Sequence, residues 1–354
     1  MENYRLLIIN PGSTSTKFSV FDNEKELFSK SLIHTAAELS AFDTLMDQLP
    51  YRKEKILESL KEQDIPLESL NAIVGRGGVV EGLKTGGYVV NEKLMDELIH
   101  RPVFVHASNL GGLIAHEIGE PLGIPAYIYD AVSSDELLPI AKVTGFKEIE
   151  RSSFFHVLNG KAMSRKLAEK MGKGLEDCNF IVCHMGGGIS IGAIDHGRII
   201  DSEGDDGGTF APDRSGGTNL LYIINMCYSG QYTKQEMLKK VRGNGGLKAH
   251  LGTHDCREVE ERIKNGDEHA KLIYEAMAYQ IAKGIGVLMP VFEEPVDAVI
   301  LTGGMANSEY LTGMIKKRIE RYLPVVVMPG ENEMESLALG GLRILRGEEK
   351  AQRF

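Results

Sequence analysis

The chain has 354 residues, more than one hydrophobic core comfortably supports, so two domains of ordinary size are expected. Its 42% apolar and 25% charged residues are the proportions of a globular protein. A net charge of −10 argues against nucleic acid or an anionic membrane as partner, so any bound anion must be held by local arginines, lysines and backbone amides.

The opening MENYRLLIIN lacks the charged, apolar and small-residue regions of a secretory signal, and no apolar run approaches transmembrane length, so a cytoplasmic protein is expected. From Leu6 to Asp22, LLIINPGSTSTKFSVFD reads as a β-hairpin: an apolar run, a Pro-Gly turn with a cluster of hydroxyls, a lysine, then a second apolar run. Asn10, Gly12, Ser13, Thr14, Ser15, Thr16 and Lys17 fall at its tip. Further along, RKEKILESLKEQ carries the helical period, AIVGRGG and AYIYDA read as buried strands ending in turns, and SRKLAEKMGKGL is helical again. FIVCHMGGG, AVILTGG and VVVMPG are further strands, and AMAYQIAKGIGVLMPVF is a core or dimer helix with Met277 and Met289 as packing residues. Strands alternating with helices predict α/β layers. Cys178, Cys183, Cys227 and Cys256 form no CxxC pair, so reduced, mostly buried thiols are expected. His250, His254 and Asp255 in HLGTHD have a spacing that could bind metal, but without a further ligand cluster they read as structural.

The stretch FIVCHMGGGISIGAIDHGRI repeats the shape of the opening hairpin, with Gly186 in the place of Gly12 about half a chain length away. Repetition at that interval predicts two related domains, each opening with its own hairpin, although strand–glycine–strand also recurs by chance in α/β proteins. Two such tips facing across a cleft would surround a polyphosphate with N–H groups and hydroxyls, Gly12 and the Gly186-Gly187-Gly188 run allowing close backbone approach. Neither GxxxxGK[ST] nor GxGxxG occurs, so the Walker and dinucleotide readings fail.

Eight motifs in order, NPGSTSTK, GRGG at 75–78, VHASNLGG, YDAVSSDE, FFHVLNGKA, CHMGGGISIG, DGGTFAPDRSGG and LTGGMANSEYL, make the chain resemble the acetokinase family from residue 6 to about residue 345. The resemblance implies two duplicated ribonuclease-H-like domains of the actin-like ATPase architecture with a nucleotide cleft between them. Residues 1–133 with 335–354 would form the first domain and 134–334 the second, nucleotide-binding one. It also implies transfer of the γ-phosphoryl group of ATP to a carboxylate, with Mg2+, and a homo-oligomer of two or more chains.

A carboxylate is ionised at pH 7 and needs no general base; the obstacle is the approach of two anions, which calls for arginines and a cation. Arg76 could fork onto the acceptor or the transferring phosphoryl group, the bland alternative being a surface arginine in a turn. By resemblance Arg214 is the second clamp, against a salt bridge to Asp213 or Asp206, and His156 donates to phosphoryl oxygens, against a satisfied core histidine. His184 would touch nucleotide phosphate, and His106 would organise the pocket. Asn10, Asp130 and Glu335 are the expected magnesium shell, with Glu333 an open alternative to Glu335 and an N-cap the bland role for Asp130. Asn10, Ser13, Thr14, Lys17, His184 and Gly186–Gly188 would face the phosphates. Gly303, Gly304 and Asn307, at a strand–turn–helix junction, would face the adenosine.

The resemblance also implies a roomier acceptor pocket: acetate kinases of that family usually carry a longer segment after this arginine, so the shorter GRGG here would leave space for an acyl chain longer than acetate, with Val105, His106 and Phe155 beside Arg76 as pocket residues. Butyrate, isobutyrate and propionate are the candidate acceptors, since one methylene discriminates by only about 10- to 200-fold. A sugar kinase of the same architecture would need Asp130 as a base, and the pair of arginines favours an anionic acceptor instead. A non-enzymatic ATP-driven binding or filament protein would need further segments for which little chain is left over.

Overall fold

The structure is a computed structural model and describes residues 3–204 and 207–354. The chain divides into two units, residues 1–135 with 332–354, and residues 136–331.

In the first unit β1 (Arg5–Pro11), β2 (Ser15–Asp22) and β3 (Lys25–Ile33) form an antiparallel meander, and β4 (Ala72–Arg76) and β6 (Ala126–Tyr129) extend it in parallel from β1, with β5 (Gly87–Val89) antiparallel on β6. The order is β3-β2-β1-β4-β6-β5, closed by a short strand at Gln352–Arg353. Leu6, Leu7, Ile8 and Ile9 are all fully buried because β1 is central and both its faces are covered. Leu7 and Ile9 join Leu110 and Ile114 of the helix Asn109–Gly119 in one core. On the opposite face lies the helix Glu333–Leu345, which Gly340 and Gly341 let down onto the sheet. A Cβ at Gly340 would come within 2.6 Å of the Tyr129 ring, and one at Gly341 within 2.6 Å of Val74.

The second unit repeats the order. β7 (Asn179–Met185), β8 (Ile189–Asp195) and β9 (Arg198–Glu203) form an antiparallel meander, with β10 (Ala298–Gly303) and β11 (Val325–Pro329) parallel to β7, giving β11-β10-β7-β8-β9. Alternate residues of β7 face two layers: Ile181, Cys183 and Met185 pack with Tyr274, Met277 and Ile281 of the helix Glu268–Leu288, while Phe180 and Val182 pack with Met163 and Leu167 of the helix Val157–Lys170. Both units therefore carry the same meander-plus-two-parallel-strands topology, and Gly12 and Gly186 each follow the last residue of the first strand. All four cysteines are free; Cys178 and Cys183 are buried, but Cys227 is exposed, contrary to expectation for that residue.

Candidate active site

Functional side chains of an α/β sheet collect at the carboxyl ends of its parallel strands. In the first unit these ends carry Asn10, Arg76 and, directly after β6, Asp130. Ile9 lies opposite Gly75, so Asn10 and Arg76 fall one residue further on the other face, toward the helix Glu333–Leu345. There the Glu333 carboxylate lies 2.8 Å from the Arg76 guanidinium, and its second oxygen accepts from Asn10 Nδ2 at 2.6 Å. Arg76 also donates to Asn10 Oδ1 at 3.4 Å. Glu333 is thus the carboxylate brought to Asn10 and Arg76, while Glu335 stands about 200° further round the helix. Arg76 is no loose turn arginine: it ends β4 and is held from two sides.

Asp130 is buried and adopts φ 42°, a left-handed conformation costly for a side-chain-bearing residue and typical of functional turns. Its Oδ1 accepts the Gly86 N–H at 2.7 Å, and its own N–H donates to the Gly86 carbonyl at 3.0 Å. The chain beyond it forms no helix before Pro139, so the N-cap role does not apply. Asn332, at φ 34°, makes a second such turn directly before Glu333.

His106 Nδ1 accepts the Ser108 N–H at 3.2 Å and lies 2.8 Å from the Ser108 hydroxyl, leaving Nε2 to carry the proton of the neutral ring. Desolvation, and then the Arg76 charge, hold its pKa down and favour that neutral form. Val105 is 69% exposed and continues an apolar edge with Val103 and Phe104.

At the first hairpin tip Ser13, Thr14 and Lys17 are exposed. Beneath it lies a residue that sequence reasoning passed over. Arg52, on the helix Gln48–Glu62, is fully buried and donates to the carbonyls of Gly12, Ser13 and Ser15. The helical period of RKEKILESLKEQ does not by itself say which face an arginine takes, and here Arg52, Ile56, Ser59 and Leu60 share one helical stripe, all four buried.

In the second unit His184 faces the helix Val157–Lys170, where its ring stacks on His156 at 4.0 Å between centroids. Asn159, absent from the sequence reading, donates from Nδ2 to His184 Nδ1 at 2.9 Å and to Thr302 Oγ1 at 3.0 Å, so the His184 proton sits on Nε2. Phe155 is 1% exposed, its ring laid over Gly160 and Gly192 in the core, which corrects its assignment to an open acyl pocket. Arg214 lies 3.0 Å from Asp213, the ion pair weighed as its alternative role; Asp206 lies outside the described residues.

The second tip is closed by a Gly186 N–H to Gly188 carbonyl bond of 2.9 Å, with Gly187 exposed at its apex. Gly303 has φ 90°, and a Cβ there would stand 2.3 Å from the Met185 carbonyl, so only glycine fits. Gly304–Asn307 form a 3-10 turn rather than the start of the helix, and Asn307 Nδ2 closes it on the Gly304 carbonyl. The helix begins at Glu309 with Ser308 as its cap. Gly186, Gly187, Gly304, Asn307 and Ser308 line a cavity of about 780 Å3, of ligand size. His254 and Asp255, read as structural, also line it, beside Arg257 and Glu260. Asp255 caps the helix Cys256–Lys264 and pairs with Arg257 at 2.7 Å, which pulls its pKa down to about 2. Among the described residues no three His, Cys, Asp or Glu side chains cluster as metal ligands, and no helix is long and apolar enough to cross a membrane.

Solved structures share this architecture. The acetate kinase of Porphyromonas gingivalis superposes with a TM-score of 0.80 at 18% identity, covering 97% of this chain and 100% of that one. A propionate kinase from Francisella tularensis gives 0.78 at 18% identity, covering 95% and 98%. The protein is therefore of the two-unit, actin-like ATPase fold class seen in these kinases. In sequence, residues 142–338 match the acetokinase family, and Butyrate kinase 1 of Clostridium acetobutylicum is 47% identical over 353 residues, 99% of each chain. The chain belongs to the acetokinase family.

Proposed function

We propose that the chain acts as a butyrate kinase, moving the γ-phosphoryl group of ATP reversibly onto the carboxylate of butyrate or a branched short-chain relative. The observation that carries this reading is the 47% identity to Butyrate kinase 1 along essentially the whole chain. A carboxylate oxygen forms the new P–O bond while the bond to the bridging β–γ oxygen breaks with its electron pair leaving on ADP; no proton moves.

The first unit supplies the acceptor side. Arg76, at the end of β4, offers a fork to the carboxylate or the phosphoryl oxygens, and the neutral His106 offers Nε2–H. The tip at Ser13, Thr14 and Lys17 receives phosphate. The oxygens of Asn10, Asp130 and Glu333 or Glu335 suit a hard divalent cation that keeps most of its waters, and Mg2+ held there would neutralise polyphosphate charge. The second unit supplies the nucleotide side: Gly303, Gly304 and Asn307 for the adenosine, Gly186–Gly188 and His184 for phosphate, and His156 and Arg214 for the transferring group. The exposed apolar edge Val103–Val105, tied by the Val103 N–H to the Val79 carbonyl just after GRGG, favours an acyl chain longer than acetate. We propose a cytoplasmic homo-oligomer as the working form, which light scattering on the purified protein tests.

The experiment is hydroxylamine trapping of acyl phosphate with Mg-ATP across acetate, propionate, butyrate, isobutyrate and valerate. The highest kcat/KM on four-carbon acids supports the reading. A preference for acetate or propionate keeps the chemistry and overturns the acyl pocket, and no hydroxamate from any acid removes carboxylate phosphorylation.

A further inference from the structure

Among the described residues Arg52 is the largest fully buried side chain, and its surroundings are unusual for a guanidinium. One terminal nitrogen donates to the Gly12 carbonyl at 2.9 Å, the Ser15 carbonyl at 3.0 Å and Thr16 Oγ1 at 2.9 Å. The other donates to the Ser13 carbonyl at 3.1 Å and Gln48 Oε1 at 2.9 Å, and Nε reaches Gln48 Oε1 at 3.1 Å. None of these partners is a carboxylate. Thr16 in turn contacts His34, whose pKa is held down by burial and then by the Arg52 charge, which disfavours a second cation beside it.

Two consequences follow from elementary chemistry. Three of the carbonyls of the 12–15 segment are drawn inward by one rigid fork, so the exposed side of the tip is left to the Ser13 and Thr14 hydroxyls, which can donate to an anion. A buried charge satisfied only by neutral dipoles also keeps its field, which emerges through the tip.

We infer that Arg52 is a positioning residue for polyphosphate: it shapes the tip of the first hairpin from behind, and its missing counter-charge is the anion that binds in front. This rests on the reading of that tip as a phosphate site and adds a residue that itself touches no substrate. The alternative is a scaffold residue that supports the fold and nothing more.

The test compares calorimetric binding of ATP and AMP, together with melting temperature and turnover, in the full-length protein. Arg52→Gln removes the charge, Arg52→Lys keeps it without the fork, and Ile56→Val loosens the same helix as a purely structural control. The expected result is at least a tenfold loss of ATP affinity in Arg52→Gln, an intermediate loss in Arg52→Lys, and AMP affinity within twofold of the parent in both. Ile56→Val lowers the melting temperature without changing the ATP-to-AMP ratio. Equal losses for ATP and AMP, or parental binding of both, overturn the inference; should Arg52→Gln fail to fold, Arg52→Lys carries the same comparison. The pair Ser13→Ala and Thr14→Ala separates the two levels. If they weaken ATP binding while the Arg52 variants do not, only the role of Arg52 falls; if they leave it unchanged, the phosphate reading of the tip falls with it.

Discussion

Glu333 Oε1 lies 2.8 Å from the Arg76 guanidinium, joining the first turn of a helix late in the chain to the end of a strand 257 positions earlier. Neither side chain is deeply buried, at 24% and 15% exposure, so the pair is within reach of solutes, and the arginine is held in place before an anion arrives. Arg76→Ala is expected to lower kcat by about 10²–10³, the usual loss when a transition-state charge donor is removed, with ATP affinity within about twofold. Steady-state kinetics with parallel nucleotide binding checks this, and near-normal turnover removes Arg76 from the reaction.

Glu333 and Glu335 separate by metal dependence. Glu333→Gln is expected to raise the Mg2+ concentration needed for half-maximal activity by about 10- to 100-fold, as loss of a group that orients or ligates a metal does. Glu335→Gln should change it far less. A Mg2+ titration of both variants decides, and the reverse ranking would return Glu335 to the metal.

The two glutamates also show what the sequence could convey. The hairpins, the glycine tips and the strands after Ala72, Ala126, Asn179 and Ala298 were legible because central strands demand continuous apolar runs, and tight tips demand glycine. Which glutamate meets Asn10 and Arg76 depends on the entry angle at the left-handed Asn332, which no periodicity encodes. Phe155 misled for a related reason: an aromatic beside a motif histidine says nothing about which way the ring turns, and here Gly160 and Gly192 make room for it inside. Arg52 and Asn159 escaped because their types are ordinary on helices, and only tertiary contacts give them partners.

His34 lies between Thr16 Oγ1 at 2.8 Å and the Tyr51 hydroxyl at 3.3 Å, with desolvation first and then the Arg52 charge lowering its pKa and Glu38 opposing. The folded state therefore favours the neutral ring. The stability it contributes is fully present above the ordinary histidine pKa of 6.5 and is lost as pH falls below that value toward the depressed folded one. Denaturant unfolding of the parent and His34→Gln should show a stability gap that is largest near neutral pH and shrinks toward about pH 5. A gap that is constant or widens with acid contradicts this assignment.

Asn159→Ala leaves the buried His184 ring without the donor that fixes its tautomer. It is expected to cost about 1–3 kcal/mol in stability and to lower kcat more than the stability loss alone explains. Asn159→Ala compared with Ser164→Ala, another buried polar residue on the same helix, measures the difference; equal effects on kcat would leave Asn159 a packing residue.

The helix Glu333–Leu345 completes a sheet whose strands were all, save two residues, made before position 130. During translation the early strands must wait while the intervening residues 136–331 emerge, on the order of 10–40 s at ordinary ribosomal speeds. Through that interval the face of β1 and β4 that receives Gly341 stays uncovered, and Arg76 has no Glu333 to meet. A chain in which residues 332–354 have yet to appear therefore holds nearly every strand of its first sheet, yet lacks both the cover for that face and the carboxylate partner of Arg76.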